Sequence, residues 1–166
     1  MKKIYLLPNL VTTAGLYSGF YSIVLSIEHR FELAAWAILA ACIFDQLDGR
    51  IARIAHATSE FGVEYDSLSD LVSFGVAPAV LVYQAFLSGY GRLGWVVGFL
   101  LVTCAALRLA RFNVRVDSVA KGIFQGLPTP IAAVTLAGFV LFQSEIPIEG
   151  FLGGPPRVAV AVMMLL

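Results

Sequence analysis

Long apolar runs separated by short polar turns dominate the chain. A helix needs about 20 apolar residues to cross the hydrocarbon core of a bilayer. The run from Ile4 to Ile27 reaches that length. Its two leading lysines give it a superficial likeness to a signal peptide, but it shows no clear cleavage pattern and reads as a first span. After the polar turn "EHRFE" (Glu28–Glu32), a second span is expected from Leu33 to Ile54. "HATSEFG" (His56–Gly62) reads as a loop, and a third helix is expected from Gly62 to Leu87. The Gly-rich turn "SGYGRLG" (Ser88–Gly94) leads into a fourth span, Trp95–Phe112. A polar connection, Asn113–Gly126, precedes a shorter fifth run, Pro130–Phe142. The final run, Arg157–Leu166, is apolar but only about half the length of a span, so a sixth helix cut short is expected. Neither repeats nor low-complexity tracts interrupt this pattern. The expected fold is an all-α membrane protein, one domain over residues 1–166, with a bundle of about six transmembrane helices.

Composition agrees. Of the 166 residues 59% are hydrophobic and 13% charged, against 45–50% and about 25% for soluble domains. Net charge is zero, so no bulk field favours nucleic acid, and the position of each charge matters more than the sum. Cys42 and Cys104 sit within apolar runs and read as small hydrophobes. Trp36 and Trp95 lie near span ends, as interfacial aromatics do.

Alternating spans place Lys2, Lys3, Arg50, Arg53, Arg108, Arg111, Arg115 and Lys121 on one side, and Arg30, Arg92 and Arg157 on the other. The positive-inside rule makes the first side, with the N-terminus, cytoplasmic. Asp45 and Asp48 close the second span on that side, and Asp66 and Asp70 open the third. The i, i+3 and i, i+4 spacings give each pair one helix face.

A lone carboxylate within a span costs about 2.5–3.5 kcal/mol, and clustered ones also repel. Arg50 and Arg53 are too few to neutralise four. Divalent cations are the economical solution, and an all-oxygen ligand set favours magnesium, manganese or calcium. His29 falls on the opposite side, and His56 reads as a solvated loop residue. Gly49, Ala52 and Gly62 leave room for a ligand beside the carboxylates, and Arg53 can reach a phosphate. Together these are the parts of a metal-assisted phosphoryl-transfer site. A salt-bridged capping cluster, a cation transporter with acidic ion sites and a structural subunit are the other readings open at this point. Ser73 lies one turn beyond Asp70 on the same face. Arg108 and Arg111 share a face at the cytoplasmic end of the fourth span, placed for a substrate carboxylate or a lipid phosphate. Asn113 is positioned to cap that helix.

The pattern D45-x2-D48-G49-x2-A52-R53-x8-G62-x3-D66-x3-D70 resembles the complete signature of the CDP-alcohol phosphotransferases. "SEFGVEYDSLSDLVSFGVAPA", "LRLARFN" and "FQGLPTP" are similar to stretches of the bacterial membrane-type phosphatidylserine synthases. Tyr65 stands where an aliphatic residue is common and Ser69 where alanine is common. The resemblance implies that Asp45, Asp48, Asp66 and Asp70 hold two divalent cations, Mg2+ or Mn2+, against the diphosphate of CDP-diacylglycerol. It implies clearance for the nucleotide at Gly49, Ala52 and Gly62, a phosphate contact from Arg53, and nucleotide contacts from Asn9 and Thr12. It implies Asp70 as general base toward the L-serine hydroxyl, with Ser73, Arg108 and Arg111 toward serine or lipid phosphate. Glycerol 3-phosphate or inositol phosphate are the alternative acceptors. Membrane lipids as partners, a homodimer and a bacterial inner or plasma membrane location follow from the same resemblance.

Overall fold

The structure, a computed structural model, describes residues 6–54, 59–115 and 128–145. Regular structure within them is entirely helical. We label the helices α1 (Leu6–Ile27), α2 (Phe31–Ile54), α3 (Glu60–Tyr90), α4 (Arg92–Arg115) and α5 (Thr129–Glu145). They coincide with the five complete runs read from the sequence. The shortened sixth run, His56, Lys121 and "FQGLPTP" up to Leu127 lie outside the described residues. α1, α3 and α4 each hold a stretch long and apolar enough to cross a membrane. α2 has the length, but it carries Glu32, Asp45, Asp48, Arg50 and Arg53. The apolar part of α5, Thr129–Gln143, is shorter.

α1 and α2 form a tight hairpin. The His29 N–H donates to the Ser26 carbonyl at 3.1 Å, and the Arg30 N–H to the Leu25 carbonyl at 2.9 Å. This paired closure is the Schellman arrangement. It requires a left-handed residue, and His29 supplies it at φ 59°. Small residues then let the two helices approach closely, as in membrane bundles generally. Ala34, Ala35 and Ala41 are buried with Ile38 on α2. The Ser22 hydroxyl donates across the hairpin to the Ala34 carbonyl at 2.8 Å, and Ser26 satisfies itself on the Ser22 carbonyl.

α3 is the axis of the bundle. Ser59 caps it by accepting the Gly62 N–H at 3.0 Å, so the helix starts two residues before the expected Gly62. Gly91, at φ +55°, ends it. The turns widen to π geometry over Leu71–Val76 and again over Tyr83–Leu87. Pro78 accounts for the first: it has no N–H for the Phe74 carbonyl and its ring clashes with that group, and the widened turn takes up the misfit. Phe74, Ala77, Leu81, Val82, Phe86 and Leu87 of α3 meet Leu25 and Ile38 of the hairpin and Ala133, Leu136, Ala137 and Val140 of α5 in one core. α4 is the most outward-facing helix, with Leu93, Trp95, Phe99, Leu107 and Phe112 exposed. Such a face suits lipid. Cys104 is exposed on the same helix.

Asn113 does not cap α4. The helix continues to Arg115, and the Asn113 amide instead bonds Ser67 of α3 at 3.0 Å. A side chain able to cap is drawn to a partner on another helix, which the sequence around it does not reveal.

α1 and α3 approach closely at Gly19. A methyl placed on Gly19 would stand 2.6 Å from the Ser73 Cα. Gly19→Ala must push these helices apart, a cost of about 1–3 kcal/mol for overpacking. The expected result is a lower thermal midpoint of the purified protein in detergent; an unchanged midpoint would show that the contact yields freely.

Candidate active site

Hairpin and axis bring three helix ends together. Asp45 and Asp48 come from the last turns of α2, Asp66 and Asp70 from the first turns of α3, and α1 lies opposite with Thr12 and Gly15. All six line one small cavity, with the buried Ser69, Ser73 and Phe74 among its other walls. One oxygen from each of Asp45, Asp48 and Asp66 lies within 4.8 Å of the others. Asp70 is not in that mutually close set; its carboxyl lies against Asp45.

The cluster lacks its complement. Asp48 is buried, and its Oδ2 has no hydrogen-bond partner among the described residues. An ion pair joins Arg30 to Glu28 at 3.8 Å in the hairpin turn, at the other end of α2. A buried carboxylate oxygen left unpaired costs several kcal/mol. Three convergent carboxylates, one with an orphaned oxygen, fit a hard divalent cation.

Beside this cavity opens a larger groove. Asp48, Asp66 and Thr12 border both spaces, so the carboxylates form the shared wall. The groove is lined by Asn9, Thr12, Gly49, Ala52 and Gly62, five of the six residues expected on the nucleotide side. A methyl on Gly49 would meet nothing within 4 Å, so the space there is open. A methyl on Gly62 would stand 3.1 Å from the Ser59 hydroxyl and 3.6 Å from the Asn9 side-chain oxygen. Glycine at 62 thus keeps the cap bond and the groove floor compatible.

The remaining expected residues are placed differently. The Arg53 Nε donates back to the Gly49 carbonyl at 2.9 Å, leaving the side chain exposed and outside both spaces. Ser73 is 2% exposed, and its hydroxyl donates to the Gly15 carbonyl at 3.3 Å, so it is at once cavity wall and helix-packing residue. Arg108 is half-buried and Arg111 exposed on α4, and neither borders the two spaces.

Three further residues shape the site and were not read as functional from the sequence. Ser69 is buried and donates to the Thr12 carbonyl at 3.3 Å. Tyr65 bonds Thr13 at 2.9 Å, and Ser67 bonds Asn113. The only sequence signal was that two of them, Tyr65 and Ser69, depart from the residues expected there.

The sequence profile of the CDP-alcohol phosphatidyltransferases matches residues 5–166. The chain belongs to this family. Among curated members it is 42% identical over 145 residues to the CDP-diacylglycerol–serine O-phosphatidyltransferase of Helicobacter pylori J99, covering 87% of this chain and 61% of that one. It is 40% identical over 148 residues to the protein of the same name from Mycobacterium bovis, covering 86% and 51%. It is 41% identical over 163 residues to archaetidylserine synthase of Methanothermobacter thermautotrophicus, covering 96% and 66%. The chain thus spans about half to two thirds of the length of these relatives.

Removing one of three convergent carboxylates should be felt directly if they hold a cation. Asp48→Asn is expected to weaken Mn2+ binding at least about tenfold, measured by the free-Mn2+ signal in electron paramagnetic resonance of the purified protein. Equal binding by the variant would rule Asp48 out as a ligand.

Proposed function

We propose that this chain transfers the phosphatidyl group of CDP-diacylglycerol to the hydroxyl of L-serine, giving phosphatidylserine and CMP. The carrying observation is the carboxylate wall shared by a small inner cavity and an open groove on one end of the bundle. The names of the serine-using relatives at 40–42% identity support the choice of acceptor.

On this reading Asp45, Asp48 and Asp66, with Asp70 beside them, hold two divalent cations, Mg2+ or Mn2+. Bound there, divalent cations would supply the positive charge that a diphosphate and its leaving oxygen need. The protein's own contribution is mainly positioning. Asn9, Thr12, Gly49, Ala52 and Gly62 accommodate the cytidine end in the groove. Asp70 accepts the serine hydroxyl proton as the oxygen attacks the β-phosphorus. The new P–O bond forms to serine, the bond to the bridging oxygen breaks, and CMP leaves. Arg53 can swing from its Gly49 carbonyl to a phosphate, since a single exposed hydrogen bond holds it. Arg108 and Arg111 would meet the serine carboxylate or a lipid phosphate. Ser73 would act at the cavity floor.

The exposed apolar faces of α1 and α4 support insertion in a membrane. About six spans, a cytoplasmic active site and a homodimer complete the proposal, resting on the positive-inside charge pattern and on the family.

The test is CMP release from CDP-diacylglycerol offered with labelled serine, glycerol 3-phosphate or inositol phosphate. Serine should give the labelled lipid, and product from another acceptor alone would overturn the assignment. Asp70→Asn should lower turnover by about 10²–10⁴-fold, the usual contribution of a general base. Turnover within a few-fold of the parent would remove Asp70 from that role.

A further inference from the structure

Asp66 is bracketed in sequence by two residues that tie α3 to different helices. Successive side chains on a helix point about 100° apart, so Tyr65 and Ser67 flank Asp66 to either side. The Tyr65 hydroxyl lies 2.9 Å from the Thr13 hydroxyl of α1. Thr13 gives its own hydrogen to the Asn9 carbonyl at 2.7 Å, so Tyr65 is the donor. On the other flank, the Ser67 hydroxyl donates to the Val63 carbonyl at 3.0 Å and accepts the Asn113 amide of α4 at 3.0 Å. Both links cross long stretches of chain, 52 and 46 residues. Elsewhere α4 packs chiefly on the part of α3 beyond Asp70, so the Asn113 link reaches back to the turn that carries Asp66.

Rotation of α3 about its axis is the motion these links oppose. A rotation of about 20–30° would swing the Asp66 carboxylate, several ångströms from the axis, by an ångström or more. The Ser69 bond to the Thr12 carbonyl and the Gly19–Ser73 contact hold α3 on the α1 side alone, and apolar packing adds little at this end, where Leu68, Phe61 and Val63 are exposed. Two directional hydrogen bonds on opposite flanks fix the rotation. We propose that Tyr65 and Ser67, through Thr13 and Asn113, are positioning residues that set the rotation of α3 so that Asp66 converges with Asp45 and Asp48 on a divalent cation. The inference rests on the cation-binding reading of those aspartates.

Its test is Mn2+ binding to the purified full chain without substrate, followed by electron paramagnetic resonance. Tyr65→Phe keeps the ring that stacks on Phe61 and removes only the hydroxyl; Asn113→Ala removes the other link. Each is expected to weaken Mn2+ binding about three- to tenfold, the scale of one hydrogen bond, and the double variant more than either. Ser67→Ala should match Asn113→Ala, while Ser67→Thr, which keeps a hydroxyl, should bind like the parent. A purely structural role would lower the thermal midpoint and leave Mn2+ affinity unchanged, and that result overturns the proposal. If the parent binds Mn2+ and all variants bind it equally, the links alone are refuted. If the parent itself binds none, the cation-binding reading falls and the links fall with it.

Discussion

Four carboxylates facing one another at the end of an apolar helix bundle are the constraint around which this molecule is organised. Each would be costly in a span by itself, and together they repel. The Asp48 oxygen without a partner makes the deficit local. No basic residue is among those that line the cavity. What would balance these carboxylates is positive charge, and the cavity between them is small. The open groove shares the carboxylate wall.

The rest of the bundle serves convergence. Three helix ends can share one cavity only if their axes come close, and small residues make that possible. Gly19 admits Ser73, Gly15 takes its hydroxyl through a carbonyl, and the alanines of α2 seat α1. The hairpin turn at His29 fixes the register of α1 on α2 from the far end. The widened turn after Asp70 lets α3 pass Pro78 while remaining one long helix. Stability and site geometry therefore draw on the same contacts. A substitution that loosens α1 against α3 should be felt at the carboxylates as well.

Much of this was legible in the sequence. Run lengths located five helices to within a few residues, because a span must be both long and apolar. The i, i+3 and i, i+4 spacings made two carboxylate faces visible, and charge alternation put them on one side. The small residues at 49, 52 and 62, picked out by size alone, line the open groove. Long, flexible side chains were harder. Arg53 folds onto its own helix and Arg108 and Arg111 stand away from both spaces, because spacing fixes where such a side chain starts and not where it ends. Interhelical polar links were also invisible. Nothing near Asn113 in the chain announces Ser67 as its partner, and Tyr65 reads as an oddity until Thr13 is seen beside it.

The cation is the hinge of the whole interpretation, and its position can be observed directly. Crystals of the protein grown with Mn2+ should give anomalous density between Asp45, Asp48 and Asp66, with oxygen ligands at about 2 Å and the Asp48 Oδ2 among them. Density there would place the ion where the orphaned oxygen points. An empty cluster at saturating Mn2+, or a basic side chain folded into it, would contradict the cation site and with it the chemistry proposed for this end of the bundle.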